Sequence, residues 1–261
     1  MISQPNGIIL VTGATGSGKS TTVYSILQRL NTPDANVISV EDPVEMEIDG
    51  INQIQVNSEI GLDFATVLRS ILRQDPNIIM IGEIRDSETA QIAVRASITG
   101  HLVLSTIHTN NSLSTIERLL DMDVERYLLS SALEGIISQK LARKLCDKCK
   151  KIRNVNEYEK NLFRTVLGLE VNQTYEAVGC PECSYGFKGR IALQEVLVIN
   201  QEIRDAISNN VNREDLRKLV YTKDVITLIQ DGFYKVLAGF TTITEVLKLI
   251  ELDDEIDDMK K

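Results

Sequence analysis

The stretch GIILVTGATGSGKSTTVYSIL at residues 7–27 constrains the fold more than any other part of the chain. A short continuous apolar run leads directly into GATGSGKST, residues 13–21, which satisfies G-x-x-x-x-G-K-[ST] with Gly13, Gly18, Lys19 and Ser20; a helical pattern follows. Strand, loop and helix thus stand in the order that a phosphate-binding loop needs. The glycines let backbone N–H groups wrap a phosphate, and the helix offers the positive end of its dipole. Lys19 can reach the β- and γ-phosphates and Ser20 can ligate Mg²⁺. A glycine-rich turn that merely joined strand to helix would leave the Lys-Ser pair unexplained. Gly13, Ala14, Thr15, Gly16, Ser17, Gly18, Lys19, Ser20 and Thr21 are therefore the expected nucleotide-binding residues.

Four apolar runs, at 7–11, 36–40, 77–81 and 101–105, are β-branched and continuous rather than alternating. Strands buried on both faces of a parallel sheet read this way. Helical patterns lie between them, so a doubly wound α/β core is expected. From about residue 112 the pattern turns helical, and ERYLLSSALEGIISQKLARKL reads as one helix with Leu128, Leu129, Ala132, Leu133, Ile136, Ile137 and Leu141 on its apolar face. Further helices are expected over 201–209, 213–223, 227–238 and 243–251, with GFKGRIALQEVLVI extended. The expected division is a core over 1–143, a cysteine-bearing subdomain over 144–190 and a helical region over 191–261.

A bound nucleotide can be a passive ligand, so hydrolysis needs more parts. NIIMIGEIRD ends an apolar strand in Gly82, Glu83 and Asp86, and NVISVEDPVE delivers Glu41, Asp42 and Glu45 from another. Acidic groups at strand ends lie where open α/β sheets bind ligands, and two such clusters point to Mg²⁺ binding and water activation.

The four cysteines form two pairs, Cys146-x2-Cys149 and Cys180-x2-Cys183. Short loops of this spacing let both sulfurs face one ion, so a closed, structural Zn²⁺ site is expected, with disulfides the weaker alternative.

The net charge of −9 argues against general nucleic-acid binding, which draws its affinity from clustered Lys and Arg. One basic cluster, Lys140, Arg143, Lys144, Lys148, Lys150, Lys151 and Arg153, reads either as a solvated helix face and loop or as a dock for an acidic partner or anionic lipid headgroups. The acidic tail ELDDEIDDMKK is expected to fray. The start of the chain has neither a basic region before its apolar stretch nor a small-residue cleavage site, and no apolar run suits a membrane span, so a cytoplasmic location is expected.

GATGSGKSTTVYSIL, VEDPVE, LRSILRQDPNIIMIGEIRDSETA and TGHLVLSTIHTN closely resemble, in order, the Walker A, aspartate box, Walker B and histidine box of the hexameric secretion ATPases. That superfamily drives type II secretion, type IV pilus assembly and retraction, and DNA uptake. The resemblance implies a RecA-like core that hydrolyses ATP with Mg²⁺. It assigns Lys19 to the phosphates, Ser20 to Mg²⁺ and Glu83 to the metal or its water. Glu45 becomes the preferred general base, with Glu41 and Asp42 in support, although the choice between Glu45 and Glu83 stays open. Arg69, Arg73 and Arg85 are candidates for phosphate or intersubunit contacts, or equally for salt bridges. The tetracysteine unit resembles that of the assembly-type and secretion-type members. It narrows the expectation to an extension or secretion motor; the family implies a hexamer at the inner membrane, with the zinc knuckle expected to dock a platform protein. Members of the superfamily carry further domains ahead of the phosphate loop, whereas six residues precede Gly7 here. Weak turnover and poor hexamer formation by this stretch alone are expected. A nucleotide-gated scaffold and a DNA-uptake motor are the alternative readings.

His101 and His108, the only two histidines, flank one apolar run. Seven residues apart, they fall on opposite faces of a straight strand, which argues against a shared metal site. His108, at the carboxyl end, is expected to sense the γ-phosphate. His101 is expected to be structural.

Overall fold

Strands whose residues are all buried need cover on two sides, and Gly7–Thr12, Val37–Glu41, Ile78–Ile81 and Leu102–Ile107 of this chain have it. The computed structural model describes residues 1–222 and 224–250. The acidic run at 251–261 lies outside the described residues, as do the last positions expected for the helices over 213–223 and 243–251. In chain order the elements are β1 (Gly7–Thr12), α1 (Lys19–Leu30), β2 (Val37–Glu41), β3 (Asn52–Gln55), α2 (Phe64–Ile71), β4 (Ile78–Ile81), α3 (Ser87–Ile98), β5 (Leu102–Ile107), α4 (Ser112–Asp121), α5 (Arg126–Ala132) and β6 (Leu133–Leu145). Then come β7 (Lys151–Asn154), α6 (Glu157–Leu167), β8 (Gln173–Glu176), β9 (Phe187–Val198), α7 (Gln201–Ser208), α8 (Arg213–Val220), α9 (Leu228–Leu237) and α10 (Ile243–Leu249).

The described residues form two compact units, those within 1–138 and 196–225 and those within 139–195 and 226–261. They are cut differently from the consecutive segments 1–143, 144–190 and 191–261: α7 and α8 belong with the phosphate loop, and α9 and α10 with the cysteines.

The sheet runs β3-β2-β4-β5-β1-β6-β9. Its β1–β5, β1–β6, β2–β3, β2–β4 and β4–β5 pairs are all parallel. In the first unit alternate residues of each strand serve opposite faces. Ile9, Val11, Val37, Met80 and Leu104 pack with Val23, Tyr24 and Leu27 of α1. Ile8, Leu10, Ile38, Ile79 and Val103 pack with α2, α3 and α4 on the other side. The doubly wound α/β fold is the one the apolar runs imply. The strand carrying Glu83 is not the immediate neighbour of β1, however; β5 lies between them.

The long helix expected across 125–145 is not formed. Its first part is α5, but from Leu133 the chain is extended, and Leu133–Ser138 pairs in parallel with β1. Ile136 packs on one face of the sheet and Ile137 on the other, as strand geometry requires. Apolar neighbours at 132–133 and 136–137 fit a helical stripe and a doubly buried strand alike. Gly135 and the β-branched pair after it favour the strand.

The second unit is built around Phe163 of α6 and Phe233 of α9, whose rings meet edge to face at 5.0 Å. A capping box opens α6, with Asn156 and Glu159 each bonding the other's backbone N–H. Among the described residues no helix is long and apolar enough to cross a membrane.

Candidate active site and metal centre

The phosphate loop bends where glycine permits. Gly16 and Gly18 have φ of 79° and 87°, a region that side chains disfavour. Gly18 starts α1 and has no side chain with which to cap it, so the first N–H groups of the helix face the loop. Lys19 folds back over the loop, its Nζ donating to the carbonyls of Gly13 at 2.9 Å and Ala14 at 3.1 Å. It is only 8% exposed. Burial lowers its pKa, and the nearby Glu83 charge partly opposes that fall. Ser17 is buried within the loop, while Ala14, Thr15, Gly16, Ser20 and Thr21 are exposed.

Glu83 follows β4 and is the hub of the strand-end charges. One carboxylate oxygen accepts from Arg85 and the other lies 3.2 Å from His108 Nε2. Arg85 also reaches Asp42 at 3.6 Å. Burial acts to raise the Glu83 pKa, but Arg85 and His108 outweigh it and hold the carboxyl below its ordinary value. Thr106 of β5 fixes the approach, its hydroxyl donating to Gly82 O at 2.7 Å and its carbonyl accepting from Ile84 N at 2.9 Å.

The other candidates separate. Glu45 is exposed, and its backbone N–H donates to Tyr24 Oη at 3.1 Å. Glu41 is 2% exposed and wholly occupied by neutral donors from Tyr24, Ser39 and Gln53. Asp86 caps α3, accepting Thr89 N at 2.8 Å. Arg69 pairs with Glu88, and Arg73 donates to Arg69 O, so of the three arginines only Arg85 joins the strand-end carboxylates. The histidines sit just outside either end of β5, about 23 Å apart along an extended chain. His101 Nδ1 is 2.9 Å from Ala96 O, which fastens the start of β5 to the end of α3.

Three threonines were not foreseen. Thr12 at the end of β1 donates its hydroxyl to Thr109 O at 2.8 Å and accepts from Thr109 N at 3.1 Å. Thr109 Oγ1 lies 2.6 Å from Thr115 Oγ1 of α4. These contacts join the strand before the phosphate loop to the turn after His108. The Thr12–Thr109 pair spans 97 residues, and a lone hydroxyl carries no pattern that predicts such a partner.

In the second unit the sulfurs of Cys146, Cys149, Cys180 and Cys183 lie within 4.8 Å of one another. Separations of 3.9 Å for Cys146–Cys180, 3.7 Å for Cys149–Cys183 and 3.6 Å for Cys180–Cys183 match the roughly 3.8 Å between ligands that a tetrahedral Zn–S bond of about 2.3 Å requires. Burial pushes the Cys149 thiol up to about 12, whereas hydrogen bonds from the Cys180 backbone and neighbouring thiols bring Cys183 down to about 7 against burial. Four sulfurs this close ionise together only around a cation, and the donor set fits Zn²⁺.

Gly186 lets the chain close on this cluster. Its carbonyl accepts Cys146 N at 2.9 Å, its φ is 84°, and a Cβ there would stand 2.6 Å from Ala177 Cβ and 2.8 Å from Val178 N. Gly186→Ala is expected to destabilise the protein by about 1–3 kcal/mol, read as a lower denaturant midpoint. An unchanged midpoint would contradict this geometry.

Most of the basic cluster is neutralised within the same unit. Arg143 grips Glu245, Lys148 pairs with Glu182, Arg153 with Glu159, and Lys144 and Lys150 with Asp147. Lys140 donates to Leu249 O. The cluster lies on strand and loop, not on a helix face.

A profile for the family described as "Type II/IV secretion system protein" matches residues 1–248. The chain is 51% identical over 250 residues to the putative type II secretion system protein E of Escherichia coli K12, covering 95% of this chain and 50% of that protein. It is 49% identical over 249 residues to the type IV pilus assembly ATPase PilB of Thermus thermophilus, covering 95% and 28%. The chain thus spans half or less of the length of these curated relatives. Among solved structures, the pilus retraction motor PilT with bound ADP aligns with a TM-score of 0.71 and 30% identity, over 96% of this chain and 63% of that one. The Legionella pneumophila ATPase DotB aligns at 0.68 and 27%, over 95% and 61%.

Proposed function

Because the chain belongs to the type II/IV secretion system protein family, we propose that it is the ATP-hydrolysing part of a motor that drives assembly of a type IV pilus or a type II secretion pseudopilus. One observation carries this reading: Glu83 is linked at once to Arg85 and His108 and acts electrostatically on Lys19, so groups from the start of α1 and from just beyond β4 and β5 form one charged cluster. A passive nucleotide pocket has no need of a carboxylate wired in this way.

The phosphate loop from Gly13 to Thr21 binds the phosphates through backbone N–H groups, and Lys19 neutralises them. Ser20 and Glu83 would hold Mg²⁺, which when bound supplies positive charge to offset that of the nucleotide. Glu45, exposed on its loop, takes a proton from the attacking water at its carboxylate. His108 reports γ-phosphate occupancy through Glu83, and Arg85 keeps that carboxylate ionised.

The cysteine cluster would hold a Zn²⁺ of structural kind, since four thiols complete a tetrahedral ligand set. The working assembly is a hexamer, peripheral to the inner membrane through a platform protein that docks at the zinc knuckle.

Two isosteric variants of the full-length protein test the site. Glu45→Gln is expected to keep nucleotide binding and lower hydrolysis by about 10²–10⁴-fold, the range for a lost general base. Glu83→Gln is expected to weaken Mg²⁺ dependence as well. Hydrolysis that survives Glu45→Gln but not Glu83→Gln would exchange the two roles. Secretion or piliation that survives loss of hydrolysis would favour a nucleotide-gated scaffold.

A further inference from the structure

We propose that Tyr24, oriented by the buried Glu41 and assisted by Gln53, is a positioning residue that holds the Glu45-bearing loop for hydrolysis; the inference rests on Glu45 being the base. Tyr24 lies on α1, directly behind the phosphate loop, and is 5% exposed. Its hydroxyl donates to Glu41 and accepts the backbone N–H of Glu45 at 3.1 Å. A phenol has one proton to give. Glu41 takes it, so the lone pairs are left facing the Glu45 N–H. Burial, and then the adjoining Glu41, push the Tyr24 hydroxyl up to about 12, so it stays a donor at any working pH.

Glu41 ends β2 and shares the α1 side of the sheet with Ser39, two residues earlier. Its other oxygen accepts from Ser39 Oγ and from Gln53 Nε2 at 3.0 Å. Burying a carboxylate among neutral donors is costly, and this one touches no metal-ligand candidate. What it gains is a fixed hydroxyl polarity at Tyr24.

The loop is held from β3 as well. Gln53 donates to Met46 O at 3.0 Å and accepts Ile48 N at 2.7 Å, and Gln55 accepts Val44 N at 3.2 Å. The backbone on both sides of Glu45 is thus tied by side chains of β3, and Glu45 itself by Tyr24. Since α1 begins at Lys19, Tyr24 ties the Glu45 backbone to the helix that carries the phosphate-binding lysine.

Two variants of the full-length protein separate positioning from packing. Tyr24→Phe keeps the ring and removes both bonds. Glu41→Gln keeps the volume but reverses polarity. Gln53 Nε2 can only donate, so the new amide nitrogen must face Tyr24, whose proton then turns toward the Glu45 N–H. Both variants are expected to lower kcat about ten- to a hundredfold, the scale of a displaced catalytic group, with KM for ATP within about twofold. Hydrogen exchange at the Glu45 amide is expected to quicken in both. Unchanged kcat, a change confined to KM, or unchanged exchange at Glu45 would overturn the proposal. Hydrolysis retained by Glu45→Gln would instead remove Glu45 as the base, and the positioning role with it, whatever Tyr24→Phe does.

Discussion

Replacing Lys19 with alanine is expected to cut ATP turnover about a hundred- to a thousandfold, as loss of a preorganised charge donor does, while leaving the fold intact. The ammonium group is nearly buried and already tethered to two loop carbonyls, so it is in place before nucleotide arrives. Its removal also takes away the positive charge on which Glu83 acts across the loop. The helix tolerates the change, because alanine is its best former and Lys19 opens α1. Phosphate release and thermal melting, measured together, check the result. Wild-type turnover by Lys19→Ala would place the chemistry elsewhere.

Loss of the cysteine cluster is expected to have the second large effect. With zinc bound, four thiolates from two short turns are joined through one ion, and that binding energy becomes stability of the second unit. Cys149→Ser, or exhaustive chelation, is expected to lower stability by about 3–5 kcal/mol, comparable to losing a structural cross-link. Elemental analysis is expected to find one zinc per chain in the wild type and little in the variant. A metal-free protein with unchanged melting would contradict the structural role, and Lys19→Ala supplies the control, since its zinc content should be normal.

What was legible in the sequence follows from what short-range pattern encodes. The phosphate loop, β1, β2, β4 and β5 were readable because an unbroken β-branched run before a glycine-rich turn has few other solutions. The cysteines were readable because spacing alone brings sulfurs together. β6 was misread because a doubly buried strand and a helical stripe agree over Ile136 and Ile137; the parallel partner that decides between them lies about 125 residues earlier. β3, NQIQ, escaped because three of its four residues are polar and its value lies in glutamine side chains that bind a loop. Tyr24 reads as part of an apolar stripe until its hydroxyl is found on Glu41, a partner 17 residues away. The acids at strand ends were recognised as a class, but their separate fates as hub, buried anchor and helix cap depend on long-range donors.

The central claim is that the charged cluster around Lys19 and Glu83 hydrolyses ATP with Mg²⁺. Single-turnover release of γ-phosphate by the full-length protein, with saturating enzyme, tests it most directly when bound nucleotide is quantified in the same samples with Mg²⁺ and with a chelator. The account predicts nucleotide fully bound and phosphate released only when Mg²⁺ is present. Bound nucleotide that stays intact with Mg²⁺, or phosphate released equally fast without it, would contradict the account.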